Sequence, residues 1–478
     1  MFRRIVALAD VPAPAGSYER LWVPLITLWY LIWQWLQPRH TLEAVVTDAR
    51  RGGADGLCAR TKPLSGGIKS RATTAYSDAR QRLPLDWVRQ CFTKFAAAWL
   101  TLGQWRDPAL PVELLDGSTK RLRPYGDIVQ HFPAHRTRRK QAYWCLARVL
   151  VSFCAATGIA TAARIASHHV SEQALAVELI LEAARRVLYI GDRNFGVWRV
   201  VRAAVQGGGQ ALVRLTQVRA RSLLGRKRLP AFLDEAVVWS PSRHDQTDPD
   251  LSKESVEGRL IIIRAQRRGY RPQTLYLFTT LTDVAAYPPK RLLELYGWRW
   301  QVELNFRSLK ATMQMDQSEA KSADMVRKEF YAGLMAYNLV RGLMTAAAAQ
   351  SGCRPVELSF AKVQGLLALV LAELFVASMT GPVRNRRLLW LLAEASAAKL
   401  PRRCKPRQNE PRAQYYEPQV FPKIKGSREE ARKELNPPQK TSDIGFGNLR
   451  HKVLQSQTPW YVEIILATGG VMAKICGS

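Results

Sequence analysis

The sequence reads as an α/β protein with a β-rich insertion, flanked by helical regions at both ends. Three observations lead there. Between Pro111 and Gly209 the patterns run strand, strand, strand, helix, strand, helix, which describes a sheet whose first half is joined by hairpins. From Ala211 to about Asp283 the chain is again rich in β-formers. Helical periodicity dominates before residue 108 and after Pro288.

The elements follow in order. Residues 21–36 are strongly apolar, carry Trp22, Trp29, Trp33 and Trp35, contain Pro24, and fall short of the ~20 residues that span a bilayer. A buried or interfacial helix is expected there, with membrane anchoring as the dissenting reading. The apolar run after Met1 is too short for a signal peptide. Helices are expected over 41–51, stopped by Gly52 and Gly53, over 73–82, and over 86–105 after Pro84. Short basic helices with tight breaks suit a DNA-binding unit over 1–108, and an ordinary helical cap fits the pattern equally well. Strands are expected over 112–115, 147–153 and 159–166, then a helix capped by Ser171 and running to about Arg186. A buried strand over 187–191 and a helix over 195–205 complete a core over 109–210. The insertion, 211–283, should hold strands over 211–215, 235–239, 260–264 and 274–280, with basic turns over 219–228 and 264–271. After Pro288 and Pro289 one long helix should reach about Met315, within a segment 284–320 that returns to the core. A helical and basic region over 321–435 contains helices at 325–349 and 355–378 and a Pro- and Arg-rich stretch over 401–425. The tail, 436–478, has no assigned role.

Composition narrows the partners. A net charge of +32, from 71 Lys and Arg against 39 Asp and Glu, implies a polyanion, because crowded cations repel unless phosphates relieve them. DNA is favoured over anionic membranes and ribosomal RNA. The seven cysteines are scattered and odd in number, which argues against a disulfide framework or a zinc site and for reduced thiols in a cytoplasmic protein.

Chemistry concentrates in three places. Asp116 and Asp192 each end a separate apolar run, and strand ends are where open α/β sheets place functional groups. Side by side, two carboxylates repel unless a cation lies between them, so a metal site is the economical reading, with turn-capping as the bland one. Within the long helical pattern, Tyr296, Arg299, Glu303 and Lys310 share a stripe about 60° wide at ~100° per residue, next to an apolar face of Trp298, Val302, Phe306, Leu309 and Met313. A carboxylate among cations and a phenol suits a metal-bound phosphate. An Arg299–Glu303 ion pair on a solvated helix is the competing reading. His168 and His169 lack ligands nearby at metal spacing and are expected to be ordinary polar residues, and Trp239 is expected in a β-sheet core.

The spacing Tyr296-(2)-Arg299-(3)-Glu303-(6)-Lys310 resembles the signature of the insertion-sequence-four family of bacterial DDE transposases. Asp116-Gly117-Ser118-Thr119 is similar to that family's first catalytic motif, and Asp192-Arg193-Asn194-Phe195 to its second, with Asn194 in place of the usual glycine. The resemblance spans about residues 40–425. It implies an RNase H-like catalytic core with a β-rich insertion between the second Asp and the Glu; here Glu303 lies 111 positions after Asp192, and the interval reads β-rich. It implies that Asp116, Asp192 and Glu303 bind two Mg²⁺ ions, with Mn²⁺ able to substitute. Tyr296, Arg299 and Lys310 would grip DNA, joined by Arg193; for the basic run 219–228, with Arg226, Lys227 and Arg228, the net charge favours a DNA backbone contact over a solvated turn. The implied substrates are the element's terminal inverted repeats and target DNA, cut and joined by a homodimer. A silent repressor of transposition is the alternative, disfavoured because all three carboxylates are present.

Overall fold

The computed structural model describes residues 11–15, 21–37, 41–57, 63–101, 110–136, 141–242, 245, 254–265, 272–374, 380–401 and 426–435. The expectations for 266–271, 375–378, 402–425 and 436–478 lie outside the described residues.

Before the sheet, the longer helices among the described residues are α1 (Pro24–Leu36), α2 (Leu42–Arg50), α3 (Thr74–Arg82) and α4 (Leu85–Leu100), with a single helical turn at Leu64–Gly67. Proline opens α1, where its missing N–H costs nothing, and the Thr41 hydroxyl caps α2 by accepting from the Ala44 amide at 3.2 Å. The tryptophan-rich α1 is buried from Ile26 to Leu36, as a buried helix should be. No helix among the described residues is long and apolar enough to cross a membrane.

The sheet follows, with β1 (Val112–Leu122), β2 (Ala134–Arg136), β3 (Gln141–Cys154), β4 (Ala160–Ser167), α5 (Glu172–Ala183), β5 (Leu188–Gly191), α6 (Trp198–Gln206), β6 (Gln210–Arg214), α7 (Gln217–Leu224), β7 (Leu233–Trp239), β8 (Val256–Ala265) and β9 (Gln273–Thr279). The strand order is β2-β3-β1-β5-β6-β9-β8-β7, with β4 also on β3. Strands β1, β3 and β4 form an antiparallel meander; β5 and β6 join it parallel to β1. Strand β6 therefore belongs to the parallel array, so the sheet runs unbroken across the expected 210/211 boundary. The added strands β9, β8 and β7 then extend the same sheet antiparallel.

Two local expectations are corrected. Strand β1 runs through Leu122, not Leu115, so Asp116 lies within a strand, opposite Val151 of β3, and not past its end. The second half of β1 escaped an apolar-run reading because it is polar; Lys120 is nevertheless buried, its Nζ donating to the Met315 and Gln317 carbonyl oxygens at 2.7 Å each. The basic run 219–228 is not a turn throughout: α7 is a helix, capped by the Thr216 hydroxyl, which accepts from the Arg219 amide at 3.2 Å, and ended by Gly225 at φ 64°. That left-handed conformation favours glycine.

The expected single long helix is one helical path with three windings. Helix α8 (Pro289–Gly297) passes through a 3₁₀ turn (Trp298–Trp300) into α9 (Gln301–Arg307), which ends in a π turn (Ser308–Thr312). A short strand β10 (Gln317–Ser318) pairs parallel with the end of β1. Helices α10 (Ala323–Ser351), α11 (Phe360–Leu374), α12 (Gly381–Ala397) and α13 (Arg428–Leu435) follow among the described residues, α12 not having been expected.

Alternation along the strands separates two cores. Leu114, Ile190 and Leu212 point into a large core shared with α1, α4, α9 and α10, while Leu115, Tyr189 and Val213 point into a second core under α5 and α6. The N-terminal helices thus share their apolar core with the sheet and α10.

Candidate active site

The parallel register builds the site. Leu114 pairs with Ile190, and Ile190 with Leu212. Two residues further along each chain stand Asp116, Asp192 and Arg214, one row across β1, β5 and β6, on the side chain face that looks toward α8 and α9. Two of the three were expected from the sequence. Arg214 was missed, although it follows Leu212 at the same offset as Asp116 follows Leu114 and Asp192 follows Ile190.

Burial pushes the Asp116 carboxyl up to about 6; the charges of Asp192 and Glu172 push the same way, and the Gly117 amide and Arg299 pull against them. The Gly117 N–H donates to Asp116 Oδ1 at 2.9 Å. On the opposite face of β1, a Cβ at Gly117 would lie 2.5 Å from the Glu172 carboxyl carbon, so only glycine leaves that carboxylate its place. Glu172 is a second residue the sequence did not flag, because an acid after Ser171 reads as ordinary helix capping.

The loop after Asp192 folds back on it. The Asn194 amide donates to Asp192 Oδ1 at 2.8 Å, and Asn194 Nδ2 donates to Glu172 Oε2 at 2.5 Å. The residue that departs from the family pattern therefore links the second aspartate to Glu172.

Over this row lies the signature helix. Tyr296 is buried, not on an open stripe; burial raises its pKa, and the nearby Arg299 and Arg214 guanidiniums pull against that shift. Burial lowers the Arg214 pKa, and the neighbouring cations Arg193 and Arg299 add to that shift. Arg214 Nε is buried without a hydrogen-bond partner. Arg193, Arg214 and Arg299 thus converge beside two carboxylates, an arrangement suited to an anion.

Glu303 is placed differently. Its side chain is 64% exposed and accepts from Arg299 Nη2 at 3.1 Å, the ion pair of the bland reading. Among the described residues no group of three or more His, Cys, Asp or Glu side chains is gathered to hold a metal ion. Asp116 and Asp192 do fit a hard divalent cation: they offer carboxylate oxygens side by side, and their mutual repulsion is what such a cation relieves. Lys310 is exposed in the π turn and lines a small cleft with Ser118 and Thr119 of β1.

Except for Arg193, which is close enough to act on Arg214, the other expected residues lie apart. Arg193 is exposed on the Asp192 loop, Arg226 pairs with Glu235 at 3.1 Å, and Lys227 and Arg228 are exposed after α7. Trp239 packs edge-on against Phe278, its ring centroid 4.8 Å away, as a sheet residue should. His168 stacks near His169 and His135 without an acidic or thiol partner for a metal among the described residues. Cys91, Cys145, Cys154 and Cys353 are free thiols.

A hydrogen bond from Arg341 ties the signature helix to α10, and a second steadies Arg341 within α10. Arg341 Nη2 donates to Asn305 Oδ1 at 2.7 Å, and Arg341 Nε to the Tyr337 hydroxyl at 2.8 Å. Asn338 of the same helix exchanges two 2.8 Å hydrogen bonds with the Ala160 backbone of β4.

Residues 113–339 match the family model described as the transposase DDE domain. The transposase InsG for insertion sequence element IS4 of Escherichia coli (strain K12) is 28% identical over 345 residues, covering 70% of this chain and 74% of that protein. A solved piggyBac transposase synaptic complex with hairpin DNA overlaps 81% of each chain at 11% identity and a TM-score of 0.38, too loose a likeness to weigh. Residues 113–339, around the paired aspartates, thus match a transposase DDE domain, and the chain is similar to the IS4 transposase over most of its length.

Proposed function

We propose that the protein catalyses cut-and-paste transposition, cleaving DNA at the ends of its own element and joining those ends to target DNA. The observation that carries this reading is the row Asp116, Asp192, Arg214 beneath Tyr296 and Arg299: paired carboxylates for a cation beside converging guanidiniums for a phosphate. The order β4-β3-β1-β5-β6, with α5 and α6 packed on one face, supports an RNase H-like core.

Asp116 and Asp192 would hold Mg²⁺, two ions in the full site, with Glu303 as the third carboxylate and Mn²⁺ able to substitute. A divalent cation there lowers the pKa of a water or of a DNA 3′-hydroxyl and offsets charge on the phosphate. Arg299 and Arg214 hold phosphate oxygens, Tyr296 donates a hydroxyl, and Lys310 and Arg193 add charge at the rim. A DNA phosphate that takes the Arg299 guanidinium frees Glu303 from its ion pair. Terminal repeats and target DNA are the substrates, a homodimer on DNA the working form, the helices before residue 108 a DNA-binding region, and the bacterial cytoplasm the setting.

The test is incubation of the purified protein with DNA spanning its genomic boundary, with Mg²⁺ or with a chelator. Strand cleavage at the element end in Mg²⁺ alone is expected. Tight end binding without cleavage in either Mg²⁺ or Mn²⁺ would leave a repressor.

A further inference from the structure

The loop that follows Asp192 is held from both sides. From α5, Gln173 Nε2 donates to the Asn194 carbonyl oxygen at 2.8 Å. From α7, Arg219 Nη1 donates to the carbonyl oxygens of Arg193 and Gly196 at 3.2 and 3.0 Å. Within the loop, the Asn194 amide meets Asp192 Oδ1 at 2.8 Å and the Phe195 amide meets the Asp192 carbonyl at 3.2 Å. Beneath it, a Cβ on Gly196 would lie 2.1 Å from the Arg214 carbonyl oxygen, so the loop sits flush on the end of β6.

Arg219 belongs to a run of cations that charge alone would assign to DNA. Its neighbours Arg221, Lys227 and Arg228 are exposed, but Arg219 is half-buried, and its side chain is turned inward onto main-chain carbonyls. Its position is imposed by the fold: Thr216 caps α7 at the Arg219 amide, and Ala220 next to it is buried in the core under α5 and α6. A charged donor bridging two carbonyls three residues apart holds a loop more firmly than water does.

We infer that Arg219 is a positioning residue for Asp192, fixing the 193–196 loop from α7 so that the basic helix and the carboxylate move as one unit. The consequence for metal affinity rests on the reading of Asp192 as a metal-holding residue; the consequence for the loop does not.

Arg219→Ala and Arg219→Lys in the full chain test it. Hydrogen exchange of the amides at 194–197, without metal or DNA, is expected to quicken about tenfold in Arg219→Ala, with the β5 and β6 amides unchanged. The Mn²⁺ concentration that half-saturates the thermal shift should rise about tenfold. Arg219→Lys, which keeps one charged donor, should fall between the two, and affinity for the element end should stay close to wild type in both. Unchanged loop exchange in Arg219→Ala would overturn the inference. So would weakened DNA binding with loop exchange and Mn²⁺ response intact, which would make Arg219 a phosphate contact. If the wild-type protein showed no Mn²⁺ shift that Asp192→Ala abolishes, the metal reading of Asp192 would fall, and loop exchange would still decide the role of Arg219.

Discussion

Asp116 carries a carboxylate where the fold disfavours charge. Its pKa, raised by burial from 3.8 to about 6, makes the sign clear. Below the unfolded value both states hold the proton and burial is harmless; as pH rises toward 6 the unfolded chain ionises first and the folded state loses ground. Without divalent metal, Asp116→Asn is therefore expected to be more stable than wild type at pH 8, by up to about 3 kcal/mol at ~1.4 kcal/mol per unit, less whatever partial solvent contact screens. The advantage should vanish near pH 4. Thermal unfolding at the two pH values, with and without Mg²⁺, measures it; equal stability at pH 8 would mean that Asp116 is not strained. Nothing in an isolated sequence shows this cost. The aspartate was legible because it follows an apolar run, whereas Arg214 and Glu172 were not: one resembles any cation at a strand end, the other any acid in a first helical turn.

The signature helix shows where periodicity stops being a guide. A uniform ~100° turn puts Tyr296, Arg299, Glu303 and Lys310 on one stripe. The 3₁₀ turn at Trp298–Trp300 and the π turn at Ser308–Thr312 change the winding twice, which buries Tyr296 against Arg214 and leaves Lys310 beside Ser118. A helical wheel contains neither those changes of winding nor tertiary contacts such as Arg341 on Asn305. Helix α7 was hidden by its charge, although its capping residues Thr216 and Gly225 were in plain sight. The helix also poses its own test. If Arg299 only pairs with Glu303, Arg299→Lys should be nearly silent, since an exposed pair contributes little. If it forks a phosphate, Arg299→Lys should slow cleavage at saturating protein by roughly a hundredfold while end binding changes little. The cleavage rate on one DNA end separates the two.

A net charge of +32 sets how the protein meets DNA. Affinity should fall steeply with salt, because each phosphate contact releases counterions. Neutralising Arg226, Lys227 and Arg228 together should reduce the slope of log affinity against log salt by about 2, since Arg226 is already engaged by Glu235 and the other two are exposed. An unchanged slope would leave these residues on a free surface. The order of strands and helices around the core was readable from pattern alone, but the continuation of the sheet through β9, β8 and β7 was not, because pairing between distant strands leaves no local trace. Catalysis is where the account stands or falls. The deciding measurement is Mg²⁺-dependent cleavage of the element end by Asp116→Ala, Asp192→Ala and Glu303→Ala, alongside end binding. Loss of cleavage by orders of magnitude in all three, with binding largely kept, is the expected result; near wild-type cleavage by any one of them would contradict the three-carboxylate site.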